Sequence, residues 1–302
     1  MIYTVTFNPA IDYVVRLNGP LVPGAINRAV SEDFQFGGKG INVSNVLRTL
    51  GMETTALGFI AGFTGDGLEN GLREMGLTTD FIRVEKGMTR INAKIKAAEE
   101  TEINGMGPMI TEKDMSKLIA RLDRITPEDT LVFSGSIPSC LPGDTYEKLM
   151  AHLDGRGIRI AVDAEKNLLV NVLKYHPFLI KPNDLELGDI FGRKLTTDEE
   201  VVECARKLQE MGGRNILVSM AAAGALLLDE NGASHRIGCP SGKVVNSVGA
   251  GDSMVAGFLA GYLKSGGDHE YALKLGTAAG SATAFSLRLG SRELIEELLA
   301  AL

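Results

Sequence analysis

Short apolar runs alternate with helix-length amphipathic segments along most of this chain, and that alternation is its strongest folding constraint. The stretches IYTVTF (2–7), TTALGFI, TLVFSG, IRIAV, FLIKP and NILVSM each read as a buried strand. Helical patterns lie between them. Val43, Val46, Leu47 and Leu50 recur at helical spacing in GINVSNVLRTL (40–50), as do Tyr146, Leu149, Met150 and Leu153 in PGDTYEKLMAHL. Strands with no polar face, separated by helices, predict an α/β fold with a mainly parallel sheet covered on both sides. Ligands of such sheets bind beyond the carboxyl ends of the strands.

Two regions, approximately 11–36 and 81–104, interrupt the alternation. In INAKIKA (91–97), Ile91, Ala93, Ile95 and Ala97 face one way while Asn92, Lys94 and Lys96 face the other. Period-two alternation marks a half-exposed strand. The inserts are therefore expected to form a small antiparallel sheet beside the main body, as a lid or a subunit interface. No repeat or low-complexity linker divides the chain, so residues 1–302 are expected to form one domain carrying this inserted lid.

A net charge of −7 argues against broad nucleic-acid or membrane-surface binding, so any positive charge that holds a phosphate must be local. Cys140, Cys204 and Cys239 are odd in number and widely spaced, which predicts reduced thiols and a cytoplasmic location. No stretch has the roughly eighteen uninterrupted apolar residues of a membrane span. His152, His176, His235 and His269 show neither metal-ligand nor triad spacing and read as structural or surface residues.

Two glycine clusters stand at predicted helix starts. In NSVGAGDSMVAGF (246–258), the glycines precede Asp252 and an apolar helical stripe through Met254, Val255, Phe258 and Leu259. Unpaired N–H groups at such a helix end attract anions. Asp252 is then either an N-cap or a reactive carboxylate. In FGGKGINVSNVLRTL (36–50), Gly37, Gly38 and Gly40 permit close backbone approach, Lys39 adds a cation and Asn42 projects an amide. Val43 and Met254 occupy the last place of each possible dinucleotide fingerprint, and no Walker A pattern occurs. Both nucleotide motifs are thus excluded.

GGKGINVSNVLRTLG and NSVGAGDSMVAGF together resemble the two signatures of the PfkB-type carbohydrate kinases, which have the ribokinase-like fold. NPAID, TRIN, TEINGMGP, SGSIP, IKPNDLE and VSMAAAGALL follow in the family's order, so the resemblance spans nearly the whole chain. It implies that Asp252 is the catalytic base and that the N–H groups of Gly249, Ala250 and Gly251 form an anion hole. Asp12 would bind sugar hydroxyls; Gly38, Lys39 and Asn42 would hold a phosphosugar, and Arg90 would hold its existing phosphate. Lys181 and Asn183 would lie near the ATP phosphates, and Asn183 and Glu186 would help hold Mg²⁺ through water. Ser219 and Gly224 would form the nucleotide-side turn, where Ala221 replaces a glycine usual in the family.

The activity implied is ATP-dependent phosphorylation of fructose 1-phosphate at its C6 hydroxyl, with tagatose 6-phosphate or fructose 6-phosphate as alternative acceptors. The implied partners are the phosphosugar and ATP, with no nucleic acid and no membrane, and a homodimer formed through the lid. A phosphosugar-binding protein without catalysis is the alternative from another class, opposed by the intact Asp252, both glycine turns and NDLE. Phosphoryl transfer needs alignment, charge neutralisation and a proton acceptor rather than covalent chemistry. One helix start can supply both dipoles and base. Neither Asp163 nor Asn104 can be assigned without geometry.

Overall fold

A computed structural model describes residues 1–164 and 166–302. The chain runs through β1 (Ile2–Thr6), β2 (Ala10–Leu17), β3 (Ala29–Gly37), α1 (Lys39–Thr49), β4 (Thr54–Ile60), α2 (Gly62–Glu74) and β5 (Thr78–Arg83). Then come β6 (Arg90–Lys96), β7 (Thr101–Asn104), α3 (Glu112–Leu122), β8 (Thr130–Ser134), α4 (Thr145–Leu153), β9 (Arg159–Asp163) and α5 (Lys166–Val172). The remainder forms β10 (Leu179–Ile180), α6 (Asp184–Ile190), α7 (Asp198–Glu210), β11 (Asn215–Ser219), β12 (Ala225–Leu228) and β13 (Ser234–Ile237). Three helices finish it: α8 (Ala250–Ser265), α9 (His269–Ala284) and α10 (Arg292–Ala300).

Among the described residues, nine strands form the main sheet in the order β13-β12-β11-β10-β9-β8-β1-β4-β5. Pairings from β5 to β11 are parallel, as the apolar runs predict. β12 and β13 add an antiparallel edge. Alternate strand residues enter separate cores on the two faces of the sheet, and Ala56, Ile60 and Phe81 enter a third with Leu68 and Leu72. Leu131, Phe133, Ile160 and Val162 pack with Leu118, Tyr146 and Leu208 on one face. Val132, Ala161 and Leu217 pack with Val43, Val46, Leu47, Phe258 and Ala279 on the other. A strand buried on both sides cannot carry polar alternation, which is why these runs are continuous.

β1 has β4 on one side and β8 on the other, so the connection order reverses there. A crevice at the carboxyl ends of the strands follows from this reversal. α8 and α9 fix its other wall. A Cβ on Gly257 would lie 2.6 Å from the Leu275 carbonyl oxygen, and one on Gly261 would lie 2.8 Å from Ala272 Cα. The two helices touch through their backbones, and any side chain at those glycines would force them apart.

The second sheet has the order β3-β2-β6-β7. Its β2–β3 and β6–β7 pairings are antiparallel as expected, whereas the central β2–β6 pairing is parallel. The expected boundary at 81 also moves, because residues 81–83 complete β5 in the main sheet. Among the described residues, no helix is long and apolar enough to cross a membrane.

Candidate active site

The carboxyl ends of β1, β8 and β9 and the starts of α1 and α8 converge on one crevice. Gly249 is the residue before α8, with φ +82°, a left-handed conformation that glycine adopts without strain. It is the N-cap, and no side chain among the described residues caps this helix. Asp252 is therefore not the N-cap. Its carboxylate is 5% exposed, and its Oδ2 accepts a hydrogen bond of 2.8 Å from Asn42 Nδ2. Burial, together with the nearby Asp163 carboxylate, pushes its pKa up to about 6; Asn42, Lys39 and Lys181 act in the opposite direction. A carboxyl group poised near neutrality suits proton acceptance at physiological pH.

The three amides expected to form an anion hole are not equivalent. The Ala250 N–H donates to the Ser247 carbonyl oxygen at 3.2 Å, closing the turn. The Gly251 and Asp252 amides have no hydrogen-bond partner among the described residues. Lys181 lies over them: a Cβ on Gly251 would be 3.1 Å from its Nζ. That ammonium is 3.4 Å from Asp163 Oδ1, and both residues are buried. Asp163 thus joins the site through the β8–β9 register, which pairs it with Ser134.

Gly38 precedes α1, and Lys39 begins it. The Ile41 amide donates to Thr6 Oγ1 at 3.1 Å, tying this helix start to the end of β1. Asp12 extends from β2 in the small sheet. Its Oδ1 accepts from Asn92 Nδ2 at 2.8 Å, and its Oδ2 lies 3.0 Å from Lys94 Nζ. The polar face of β6 thus gathers around Asp12, with Asn92 buried, while Ile91 on its other face packs with Ile11, Leu68 and Leu72 against the main body. Arg90 Nε donates to the Asn8 carbonyl oxygen at 3.1 Å. Burial holds its guanidinium pKa below the ordinary value, partly offset by Asp12.

Beyond α8 opens a cleft of about 750 Å³, lined by Asn183, Ser219, Gly224, Gly251, Thr277 and Ser281 among others. Leu185 and Val244 offer exposed apolar side chains at its rim. Asn183 and Glu186 make a capping box at α6: Asn183 Oδ1 accepts from the Glu186 amide at 2.7 Å, and Glu186 Oε2 accepts from the Asn183 amide at 2.8 Å. The N-x-x-E spacing thus has a folding role of its own, and Asn183 also lines the cleft. At the opposite turn, Ala221 takes the left-handed backbone with φ +46°, the conformation the usual glycine would adopt without strain.

His235 and His269 meet over Asp229, with Asp229 Oδ2 2.8 Å from His235 Nε2 and 3.9 Å from His269 Nδ1. This cluster sits at the turn after β12, at the edge of the sheet away from the crevice. Asn104 ends β7 opposite Asn92, while the neighbouring Gly105 amide donates to Asn92 Oδ1.

Residues 5–292 match the profile of the pfkB family carbohydrate kinases. The chain is 46% identical over 299 residues to the 1-phosphofructokinase of Bacillus subtilis, covering 99% of this chain and 97% of that one. It is 40% identical over 298 residues to the D-tagatose-1-phosphate kinase of Bacillus licheniformis, with 98% and 97% covered. Its fold superposes on phosphofructokinase-2 of Escherichia coli, solved in complex with fructose-6-phosphate, with a TM-score of 0.91 at 28% identity. That match covers 100% of this chain and 98% of the other.

Proposed function

The chain belongs to the pfkB family of carbohydrate kinases, and on that premise we propose that it transfers the γ-phosphoryl group of ATP to the C6 hydroxyl of fructose 1-phosphate. The products are fructose 1,6-bisphosphate and ADP. One observation carries this reading: a buried carboxylate, Asp252, stands at a helix start between the cleft and the Asp12–Arg90 side of the crevice.

Asp252 accepts the C6 hydroxyl proton as the oxygen attacks the γ-phosphorus. The α8 amides at Gly251 and Asp252, with Lys181, neutralise charge on the transferring group. ATP occupies the 750 Å³ cleft, its triphosphate toward Lys181 and Asn183 and its base between Leu185 and Val244. Asp12 positions sugar hydroxyls, and Lys39 and Arg90 hold the phosphate already present. The crevice offers hard carboxylate oxygens but, among the described residues, no cluster of three ligating side chains. That suits Mg²⁺, which keeps several waters and binds mostly to substrate phosphates. Glu186 and Asn183 would hold it through water, and when bound it supplies charge neutralisation to the ATP phosphates.

The name of the Bacillus licheniformis relative supports a second acceptor, tagatose 1-phosphate, which differs from fructose 1-phosphate only in configuration at C4. ADP release measured with fructose 1-phosphate, tagatose 1-phosphate, fructose 6-phosphate and tagatose 6-phosphate separates these readings. We expect the highest kcat/KM with fructose 1-phosphate. Preference for either 6-phosphate would refute the choice of acceptor.

The small sheet acts as the lid over the sugar, and its outer face pairs two subunits. Tyr13 stacks on Phe34 there at 4.9 Å between ring centroids, while Phe34, Val30 and Ile103 are 57%, 64% and 62% exposed. An apolar sheet face of this kind needs a cover. Sedimentation at micromolar concentration should show a dimer, and Phe34→Glu should shift it to monomer. A monomeric wild type would reject the dimer and leave the lid intact. The three cysteines are free, in keeping with a cytoplasmic enzyme.

A further inference from the structure

Asn42 sits in the first turns of α1, on the side of the crevice where the sugar is expected, yet its amide nitrogen reaches across to the base. Nδ2 donates to Asp252 Oδ2 at 2.8 Å, linking helix starts that are 210 residues apart. The backbone that carries this side chain is held in place. Asn42 N–H donates to the Gly38 carbonyl oxygen at 2.9 Å, and the preceding Ile41 amide is tied to Thr6. A Cβ on Gly249 would lie 3.6 Å from Asn42 Nδ2, an ordinary contact distance, which places this amide against the α8 cap. The other end of the amide faces Gly37: a Cβ there would be 3.9 Å from Asn42 Oδ1 and 4.0 Å from Asp12 Oδ2.

We propose that Asn42 is a positioning residue, whose amide N–H holds Oδ2 of Asp252 so that Oδ1 is turned toward the acceptor hydroxyl. The inference rests on Asp252 being the base. A carboxylate on a free χ2 rotor presents its oxygens in many directions, and a fixed donor on one oxygen selects a single orientation. The same bond favours the charged form of the carboxylate. It works with Lys39 and Lys181 against burial and against Asp163, the other charged groups that face Asp252. Removing it should therefore raise the pH at which the base is lost.

The test compares Asn42→Ala and Asn42→Asp with wild type, measuring kcat and KM for fructose 1-phosphate across the acid limb of the pH profile. Asn42→Ala should lower kcat on the order of tenfold and move the acid limb of kcat/KM upward by about one pH unit. Asn42→Asp is nearly isosteric, and an acidic residue is favourable near a helix start, so the fold should persist. Its carboxylate would share a proton with Asp252 and move the limb further. An acid limb that stays at the wild-type position in both variants, whatever happens to KM, overturns the proposal and leaves Asn42 as a sugar contact only. Failure of the base itself reads differently: Asp252→Asn would then stay active.

Discussion

Asp252→Asn should lower kcat by about 10²–10⁴, the usual contribution of a positioned general base. Asparagine keeps the shape of the side chain and can still meet Asn42 by an amide flip, but it cannot take the hydroxyl proton. The helix start is untouched, because Gly249 and not Asp252 is the cap. Wild-type kcat/KM should fall as the pH drops below about 6, where the buried carboxyl group becomes protonated. The same titration has a stability consequence with a definite sign. The folded-state value lies above the ordinary 3.8, so wild type loses stability as pH rises through about 4 to 6 and the carboxylate ionises in place. Asp252→Asn should therefore melt above wild type at neutral pH, with the gap closing toward about pH 4. A mutant that turns over normally removes Asp252 from the mechanism. One that is inactive and also less stable at neutral pH points to a structural role.

The second large effect should separate phosphorylated from free sugar. Arg90 spends its Nε on the Asn8 carbonyl oxygen, which orients the rest of the guanidinium, and its partial burial strengthens any anion contact. Charge-assisted hydrogen bonds contribute roughly 1.5–3 kcal/mol each, so Arg90→Ala and Lys39→Ala should each cost about tenfold or more in kcat/KM for fructose 1-phosphate. The phosphate proposed as their ligand does not react, so its binding energy would be available to align the C6 hydroxyl. Wild type should consequently use free fructose poorly, and the mutants should do no worse on it. Arg90→Lys should recover only part of the loss, since a point charge lacks the planar fork of guanidinium. Equal losses on both sugars would show that these residues do not read the phosphate.

Much of this arrangement was legible in the sequence because both helix starts advertise themselves. The glycines before α1 and α8, each followed by helical apolar spacing, are short-range signals that survive without a structure. Long-range placement was less accessible. The alternation in INAKIKA divides Asn92 and Lys94 from Ile91 and Ile95 correctly, yet alternation alone does not say what each side meets. Asp12 supplies the reason for the polar side, by drawing Asn92 and Lys94 toward it. Asp163 needed the register of β8 against β9 and the position of Lys181. The parallel β2–β6 pairing joins segments on either side of α1, α2 and two strands of the main sheet, a crossover no local pattern reports. The histidines were judged by spacing in the chain, which cannot see that a hairpin and a helix bring two of them to one carboxylate.

The 210 residues between Asn42 and Asp252 also set a schedule for the growing polypeptide. At about 5–20 residues per second, α1 leaves the ribosome roughly 10–40 s before the helix that completes the crevice. During that interval Val43, Val46 and Leu47 lack the partners on α8 and α9 that later bury them. A nascent chain in this state lacks Asp252, the proposed base. It does display a sticky helix face, and its production in cells should depend on holding chaperones from the emergence of α1 until α8 and α9 follow.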